Sequence, residues 1–161
     1  YFGDFKGSKF FWGDICKKRI KYVRNFVFPE INTLRACQSM PYHDDQRPYV
    51  NFWFASTEAP ELHSFNKCLS KGNLDKLERE GGACIIYTHF GSGFVEKGKL
   101  NPKFKSLIKS LSQRNGWFVP ASEILDHLLK IKKNSNIKIL NKERADLEFK
   151  WLFNKIINGT S

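Results

Sequence analysis

Residues 81–94 constrain the fold of this chain more than any other segment. They read Gly-Gly-Ala-Cys-Ile-Ile-Tyr-Thr-His-Phe-Gly-Ser-Gly-Phe. The apolar run at 83–87 has no polar alternation, which is typical of a strand buried on both faces of a parallel sheet. His89 follows where this strand ends in a glycine-rich loop, at the carboxyl end where ligands bind in parallel α/β folds. Two interpretations stay open: a catalytic histidine, or one that only caps the strand.

β-rich and helical stretches alternate along the chain. The predicted strands cover residues 20–27, 49–54, 84–90 and 117–120. The predicted helices cover residues 10–19, 73–80, 101–112, 122–129 and 142–157. This alternation predicts an α/β fold built from parallel βα units. Right-handed crossovers would then bring the carboxyl ends of the strands to one edge of the sheet.

The pattern also divides the chain into two parts. Residues 1–130 hold the predicted strands and the helices between them. Residues 131–161 form a basic linker, polar over 133–138, and a C-terminal amphipathic helix. The chain opens on Tyr1 and its only methionine is Met40, so we expect it to be a piece of a longer protein.

The chain is strongly basic, with a formal net charge of +11 and a pI of about 9.6. Such a charge suits an anionic partner. The basic clusters at 17–21 and 130–138 lack the interleaved aromatic residues of a base-stacking platform. We therefore predict a solvated basic surface and no nucleic-acid partner. No apolar stretch approaches the ~20 residues needed to cross a bilayer, so no membrane span is predicted.

The residues that usually bind metals do not form a complete site in this sequence. The four cysteines lie 16 to 31 residues apart and include no C-x-x-C pair. We predict four free thiols, a reducing compartment and a cytoplasmic location. His43-Asp44-Asp45 lies in a segment bounded by prolines, which favours a turn over a metal site.

Three residues at predicted strand ends are candidates for acyl-transfer chemistry. Arg24 could orient a carboxylate base or stabilise an oxyanion. Trp53 offers an apolar wall for an acyl methyl group. His89 can hand a proton to a leaving amine or alkoxide. Taken singly, Trp53 and Arg24 favour a simpler interpretation, in which Trp53 is core and Arg24 forms a surface salt bridge.

The order of these residues resembles the late motifs of the polysaccharide deacetylase family, also called carbohydrate esterase family four. In that family an arginine motif, a tryptophan motif and a strand ending in Leu-x-x-His or Leu-His follow one another, as Arg24, Trp53 and the Ile-Ile-Tyr-Thr-His89 strand do here. Gly-Trp-Phe-Val-Pro at 116–120, followed by Ile-Leu at 124–125, is similar to the final strand and helix of many members. The resemblance covers residues from about 10 to 130. It implies the C-terminal half of a distorted (β/α) barrel.

The resemblance implies a metal-dependent hydrolase that removes N-acetyl, or O-acetyl, groups from a polysaccharide or amino sugar. His89 would be the general acid and Arg24 would orient the base. The residues that bind the carbohydrate substrate would be Trp53, Tyr87, Thr88 and Phe90. A zinc-type ion would activate water in the complete protein. Its ligands would lie in an N-terminal half that precedes this chain, so no metal is expected in the chain itself.

The sequence departs from the family pattern at several positions. Phe90 replaces the family's aspartate after the histidine, and Asn51-Phe52 stands where an aspartate precedes the tryptophan. Arg47 mimics the arginine motif but lies at the start of the Trp53 strand, so Arg24 is preferred. These departures leave a second function open. It is a non-catalytic carbohydrate-binding or surface-polysaccharide accessory protein with a degenerate deacetylase fold.

Overall fold

A small parallel sheet with helices between its strands is the framework of the computed structural model, which describes residues 3–132 and 137–159. The sheet has the order β1-β2-β3, with β1 (Tyr22–Phe28), β2 (Phe52–Glu58) and β3 (Ile86–Tyr87). A separate antiparallel hairpin consists of β4 (Val95–Glu96) and β5 (Lys99–Leu100). The predicted α/β class and the predicted parallel sheet are therefore confirmed.

Seven α-helices occur in the described residues: α1 (Gly13–Arg19), α2 (Thr33–Ala36), α3 (Leu62–Cys68), α4 (Lys71–Arg79), α5 (Pro102–Leu111), α6 (Ala121–Ile131) and α7 (Asn141–Asn158). Local sequence explains where some of them begin. Asn101 caps α5 because its side-chain oxygen accepts the backbone N–H groups of Lys103 and Phe104. Pro102 fits the first turn, where no N–H is needed. The predicted C-terminal helix is confirmed by α7.

The chain folds as two compact units. The first comprises residues 1–26, 37–55 and 119–153, and the second comprises residues 27–36, 56–118 and 154–161. Residues 133–136 of the predicted linker lie outside the described residues. The division predicted at residue 130 stays a prediction.

The first unit has a core rich in aromatic and sulfur-containing side chains. Its buried residues include Cys16, Cys37, Met40, Tyr42, Val50, Trp53, Leu125 and Leu147. Tyr42 and Trp53 exchange backbone hydrogen bonds of 3.1 and 2.7 Å in an isolated antiparallel bridge. Between them the chain turns at Asp44, whose carboxylate accepts the backbone N–H of Gln46 at 2.9 Å. The turn predicted at 43–45 is confirmed.

The second unit has an aliphatic and aromatic core. Its buried cluster consists of Ile31, Ala59, Phe65, Cys68, Leu69, Leu74 and Phe94. Phe94 packs edge-on against Phe65 and Phe104, with ring centroids 5.3 and 5.0 Å apart. Two buried threonines, Thr33 and Thr57, share a hydrogen bond of 2.9 Å between their hydroxyls. All four cysteines of the chain are free, as predicted.

The strand predicted at 84–90 is shorter and less buried than expected. Only Ile86 and Tyr87 are in strand conformation, and both are half-buried. The reason is a competing set of hydrogen bonds: Thr33 donates its backbone N–H to the Ala83 carbonyl, and its hydroxyl accepts the N–H of Ile85. In the first half of the apolar run these two groups therefore bond to Thr33, while the Ile85 carbonyl bonds to β2 by accepting the N–H of Thr57 at 2.7 Å.

Two other boundary predictions were wrong. The structure has no strand at 117–120, where Trp117 and Phe118 are 58% and 57% exposed. That segment joins neither sheet within the described residues, and Pro120 lies at the N-cap position of α6. Strand β2 begins three residues later than predicted because the chain turns at Pro48, where the Val50 N–H bonds to the Arg47 carbonyl.

Within residues 3–132 and 137–159, no helix combines the length and the apolar character needed to cross a membrane. The longest helix, α7, has 18 residues and carries charged side chains along its length.

Candidate functional site at the strand ends

The carboxyl ends of β2 and β3 bring four chemically useful side chains of the second unit together. Glu58 and Tyr87 are the last residues of the two strands and lie opposite each other in the parallel register. Register partners in neighbouring strands project to the same face of a sheet. His89 and Lys155 complete this group through contacts with Tyr87 and Glu58. We call Glu58, Tyr87, His89 and Lys155 the strand-end cluster.

His89 is held in place from both its side chain and its backbone. Its Nε2 lies 2.6 Å from the Tyr87 hydroxyl, and the two rings meet edge-to-face at 4.8 Å. Its backbone N–H donates to the Pro60 carbonyl, and its carbonyl accepts the N–H of Ser92. The ring is nevertheless exposed. A fixed imidazole that solvent and ligands can reach is well placed to transfer a proton.

The Tyr87 hydroxyl can form a hydrogen bond with the imidazole in both protonation states of the ring. A phenol can donate a hydrogen bond to a neutral ring nitrogen or accept one from a protonated nitrogen. The 2.6 Å contact can therefore be kept in either protonation state of the ring. Tyr87, which was predicted to bind substrate, is in contact with the predicted acid.

Glu58 and Lys155 form a second pair at the same strand ends. Lys155, in the last turn of α7, donates to the Glu58 carboxylate at 2.6 Å. Their side chains are only 11% and 18% exposed, for Lys155 and Glu58 respectively. Charges so little exposed to water interact more strongly than surface pairs do. This pair supplies a fixed carboxylate and a fixed ammonium group beside Tyr87.

The other two predicted residues near His89 differ in their exposure. Thr88 has a buried hydroxyl oxygen with no hydrogen-bond partner among the described residues. The Phe90 side chain is 61% exposed, although its ring contacts Phe94 at 5.2 Å. The following Gly93 adopts a φ of 84°, which favours glycine and returns the chain to the core at Phe94. An unpaired hydroxyl and an open aromatic face thus flank His89 in the sequence.

The two remaining predicted residues belong to the first unit. Trp53 is 2% exposed and is part of the core, and its buried Nε1 has no partner among the described residues. Arg24 is exposed on β1. The guanidinium over the Trp53 ring, at 4.2 Å, is that of Arg47, whose Nε also donates to Asp4 at 2.7 Å. Arg47 is the residue that mimics the family's arginine motif at the start of the Trp53 strand.

Sequence reasoning missed Glu58 and Lys155 for an identifiable reason. The strand containing Trp53 was predicted to end at residue 54, whereas β2 continues to Glu58. A continuous reading of the β-rich run from Phe52 through Thr57 would have placed Glu58 at a strand end. No local signal in the sequence links Lys155 to Glu58, which lies 97 residues before it.

The described residues do not by themselves fit the metal that the family resemblance implies. Within residues 3–132 and 137–159, no three or more His, Cys, Asp or Glu side chains are grouped so as to hold an ion. A catalytic zinc needs three protein ligands and an open position. No chemical step is therefore assigned here to a metal.

Asp126 and Glu80 are two of the carboxylates outside the strand-end cluster whose pKa values are lowered. The hydrogen bond from Lys21, followed by that from Tyr22, lowers the pKa of Asp126 below its ordinary value. The hydrogen bond from Asn32, followed by the charge of Arg35, lowers the pKa of Glu80. Both carboxylates have partners in the structure, so contacts within the protein account for their lowered pKa values.

Comparison with known proteins adds no further identification. No family model matches the sequence, and no curated protein or solved structure matches it either. The functional interpretation therefore depends on the motifs in the sequence and on the geometry of the strand-end cluster.

Proposed function

We propose that this chain is part of a metal-dependent hydrolase that removes N-acetyl, or O-acetyl, groups from a polysaccharide or amino sugar. The observation that carries the proposal is the position of His89. It follows a parallel strand, its backbone is fixed by two hydrogen bonds, and its Nε2 is 2.6 Å from the Tyr87 hydroxyl. The motif resemblance supports the same role for the same residue.

In this reaction the acyl carbon gains the oxygen of water and the bond from that carbon to nitrogen breaks. The departing amine nitrogen needs a proton, and a ring nitrogen of His89 supplies it. Tyr87 fixes the plane of the imidazole before and after the transfer. In an ester the same proton goes to the alkoxide oxygen. The groups that activate the water are proposed to lie outside the described residues.

The proposal extends to the fold and to the location of the protein. The parallel sheet β1-β2-β3 would be one part of a distorted (β/α) barrel, completed by strands from an upstream part of the protein. The parallel pairing of β2 with β3 supports this arrangement. The four free thiols support a reducing, cytoplasmic environment. The roles of Arg24 in orienting the base and of Trp53 in lining the acetyl pocket stay predictions from the motif resemblance, and Trp53 is 2% exposed in the core of the first unit.

Acetate release tests the proposal directly. Two proteins would be assayed with N-acetylated oligosaccharides and added zinc. One is the chain alone, and the other is the extended protein, in which the chain is joined to the residues that precede it in its reading frame. We expect acetate from the extended protein, loss of that activity in His89→Ala, and full activity in His127→Gln, which changes an exposed histidine of α6. Equal activity of wild type and His89→Ala would contradict the role of His89.

Exposed aromatic rings favour the second candidate, a carbohydrate-binding protein without catalysis. Phe90, Trp117 and Phe118 are each more than half exposed in the second unit. Exposed aromatic faces can pack against the apolar faces of sugar rings. Under this alternative, oligosaccharide would bind without acetate release, and Trp117→Ala would weaken binding while His89→Ala would not.

A further inference from the structure

A groove in the second unit lies between α3 and α5, with the start of α4 along one side. It consists of two cavities of about 590 and 410 Å³, and both are lined by Asn66 and Lys103. Volumes of this size are typical of small-molecule sites. The shared lining residues indicate one elongated groove, which suits a linear ligand better than a compact one.

Asn66 lines both cavities of the groove and has an unsatisfied hydrogen-bond acceptor. Its Oδ1 atom is buried and has no hydrogen-bond partner among the described residues. Buried polar atoms nearly always have a partner, so the side-chain amide of Asn66 is a candidate partner for a ligand hydroxyl. Ser106 and Ser110 add hydroxyl groups from one face of α5. A ligand with several hydroxyl groups would satisfy this lining.

The groove also has cationic groups that are not neutralised by the protein. Lys71 and Lys103 line it, and neither forms an ion pair within the described residues. Arg114 lines it too but differs, because it donates to Asp75 at 2.8 Å and to Glu78 at 2.7 Å. The two lysines are therefore the groups available to an anion.

The surroundings of the groove strengthen this positive charge. Residues 97–109, which include β5 and most of α5, contain five lysines and no acidic residue. All five lysines are exposed. The lining includes the imidazole of His63 but no Phe, Tyr or Trp ring on which a nucleic-acid base could stack. Hydroxyl and ammonium groups without a Phe, Tyr or Trp ring favour a carbohydrate over a nucleic acid.

One residue of the groove lining is hydrogen-bonded to the loop that carries His89. It is Leu62, whose backbone N–H donates to the Ser92 carbonyl at 3.1 Å. Ser92 in turn donates its own N–H to the His89 carbonyl at 2.9 Å.

We propose that this groove binds a linear carbohydrate chain that carries negative charges. Lys71 and Lys103 form ion pairs with its anionic groups, and Asn66 accepts a hydrogen bond from one of its hydroxyl groups. This inference rests on the proposed function, because it names the substrate class as an acidic polysaccharide.

Titration calorimetry of the full chain tests the groove. The probes are hexagalacturonate, a sulfated glucan of equal length, a neutral hexasaccharide, a single-stranded oligonucleotide and a poly-glutamate peptide. We expect at least one acidic oligosaccharide to bind, to weaken with added salt, and to bind more tightly than the other three probes. The tighter of the two acidic sugars identifies the anion as carboxylate or sulfate.

A matched pair of variants separates a specific site from general attraction. Lys71→Gln with Lys103→Gln should weaken binding about tenfold or more, since two charge-assisted hydrogen bonds are lost. Lys105→Gln with Lys109→Gln removes the same charge from α5 outside the groove lining and should change the affinity by less than about threefold. Asn66→Ala should also weaken binding, and thermal melting of each variant checks that the fold is intact.

Several outcomes would overturn the inference. The first is the absence of binding to both acidic sugars. The second is an equal loss of affinity in the two double-lysine variants. The third is tighter binding of the oligonucleotide or the peptide than of either acidic sugar. Binding retained in His89→Ala while acetate release is lost would separate the groove from the catalytic role. Acetate release from a neutral substrate that persists in the Lys71 and Lys103 variant would leave the proposed function standing without the groove.

Discussion

The surroundings of Trp53 and of His89 show two different ways of holding an aromatic ring. Trp53 lies in the core of the first unit, with the Arg47 guanidinium 4.2 Å from its ring and Asp4 bonded to that guanidinium. His89 is exposed in the second unit and is held by the Tyr87 hydroxyl and by two backbone hydrogen bonds. One ring is fixed by packing on all sides, and the other is fixed while it stays accessible.

The difference indicates where each residue contributes free energy. A buried tryptophan contributes mainly to stability, because its apolar surface is removed from water on folding. An exposed imidazole buries little surface and contributes little to stability, but it can exchange protons with a ligand. The two residues should therefore respond oppositely in measurements of stability and of activity.

The largest expected effect is on catalysis at His89. If the protein with its proposed upstream part is a deacetylase, His89→Ala should lower kcat by roughly 10²–10⁴, as loss of a general acid does. Its urea midpoint should change little, because the exposed side chain makes one side-chain hydrogen bond. Steady-state kinetics and urea unfolding of the same preparation would check both halves. A large loss of stability would show that His89 is a structural residue.

Trp53 should show the reverse pattern in stability. Trp53→Ala removes a core side chain and should lower the free energy of unfolding by about 3–5 kcal/mol. Arg47→Gln, which keeps Trp53 but removes the cation above its ring, should cost about 0.5–2 kcal/mol. Denaturant unfolding measures both. If Trp53→Ala unfolded at the same urea concentration as wild type, the tryptophan would not be part of a packed core.

The contrast between these regions also shows what the sequence could and could not predict. The alternation of apolar runs and amphipathic segments was enough for the α/β class, the parallel sheet and α7. Asn101-Pro102 marked the start of α5 because both residues act within a single helical turn. These predictions succeeded because they depend on local periodicity and capping.

The failures concern contacts between residues that are distant in sequence. The strand at 84–90 was predicted too long because Thr33, about fifty positions earlier, takes the hydrogen bonds of Ala83 and Ile85. The Glu58–Lys155 pair spans 97 residues, and the stacking of Arg47 on Trp53 depends on the turn at Asp44. Short-range patterns carry no signal for such pairings.

Tyr87 offers a finer test of how the His89 ring is held. Tyr87→Phe keeps the ring packing but removes the hydroxyl at 2.6 Å, so kcat should fall by about tenfold at most with KM almost unchanged. Tyr49→Phe is the control, because Tyr49 packs against Phe11 in the first unit. A rise in KM at constant kcat would show that Tyr87 binds substrate and does not position the imidazole.

The smallest expected effect is a pH-dependent stability difference at Asp126, a carboxylate of the first unit bonded by Lys21 and Tyr22. These partners lower its pKa below the ordinary value of 3.8, with Lys21 as the larger cause. A carboxyl whose pKa is lowered by folding stabilises the native state above the unfolded pKa, and this contribution is lost as the pH falls through the folded pKa. Asp126→Asn should therefore be less stable than wild type at neutral pH, and the two urea midpoints should converge as the pH is lowered from about 5 towards about 2.

Asp146→Asn is the matched control, since Asp146 is exposed on α7 and has no hydrogen bond or ion pair among the described residues. If the Asp146 variant lost as much stability over the same pH range, the effect would reflect net charge and not the Lys21 and Tyr22 hydrogen bonds.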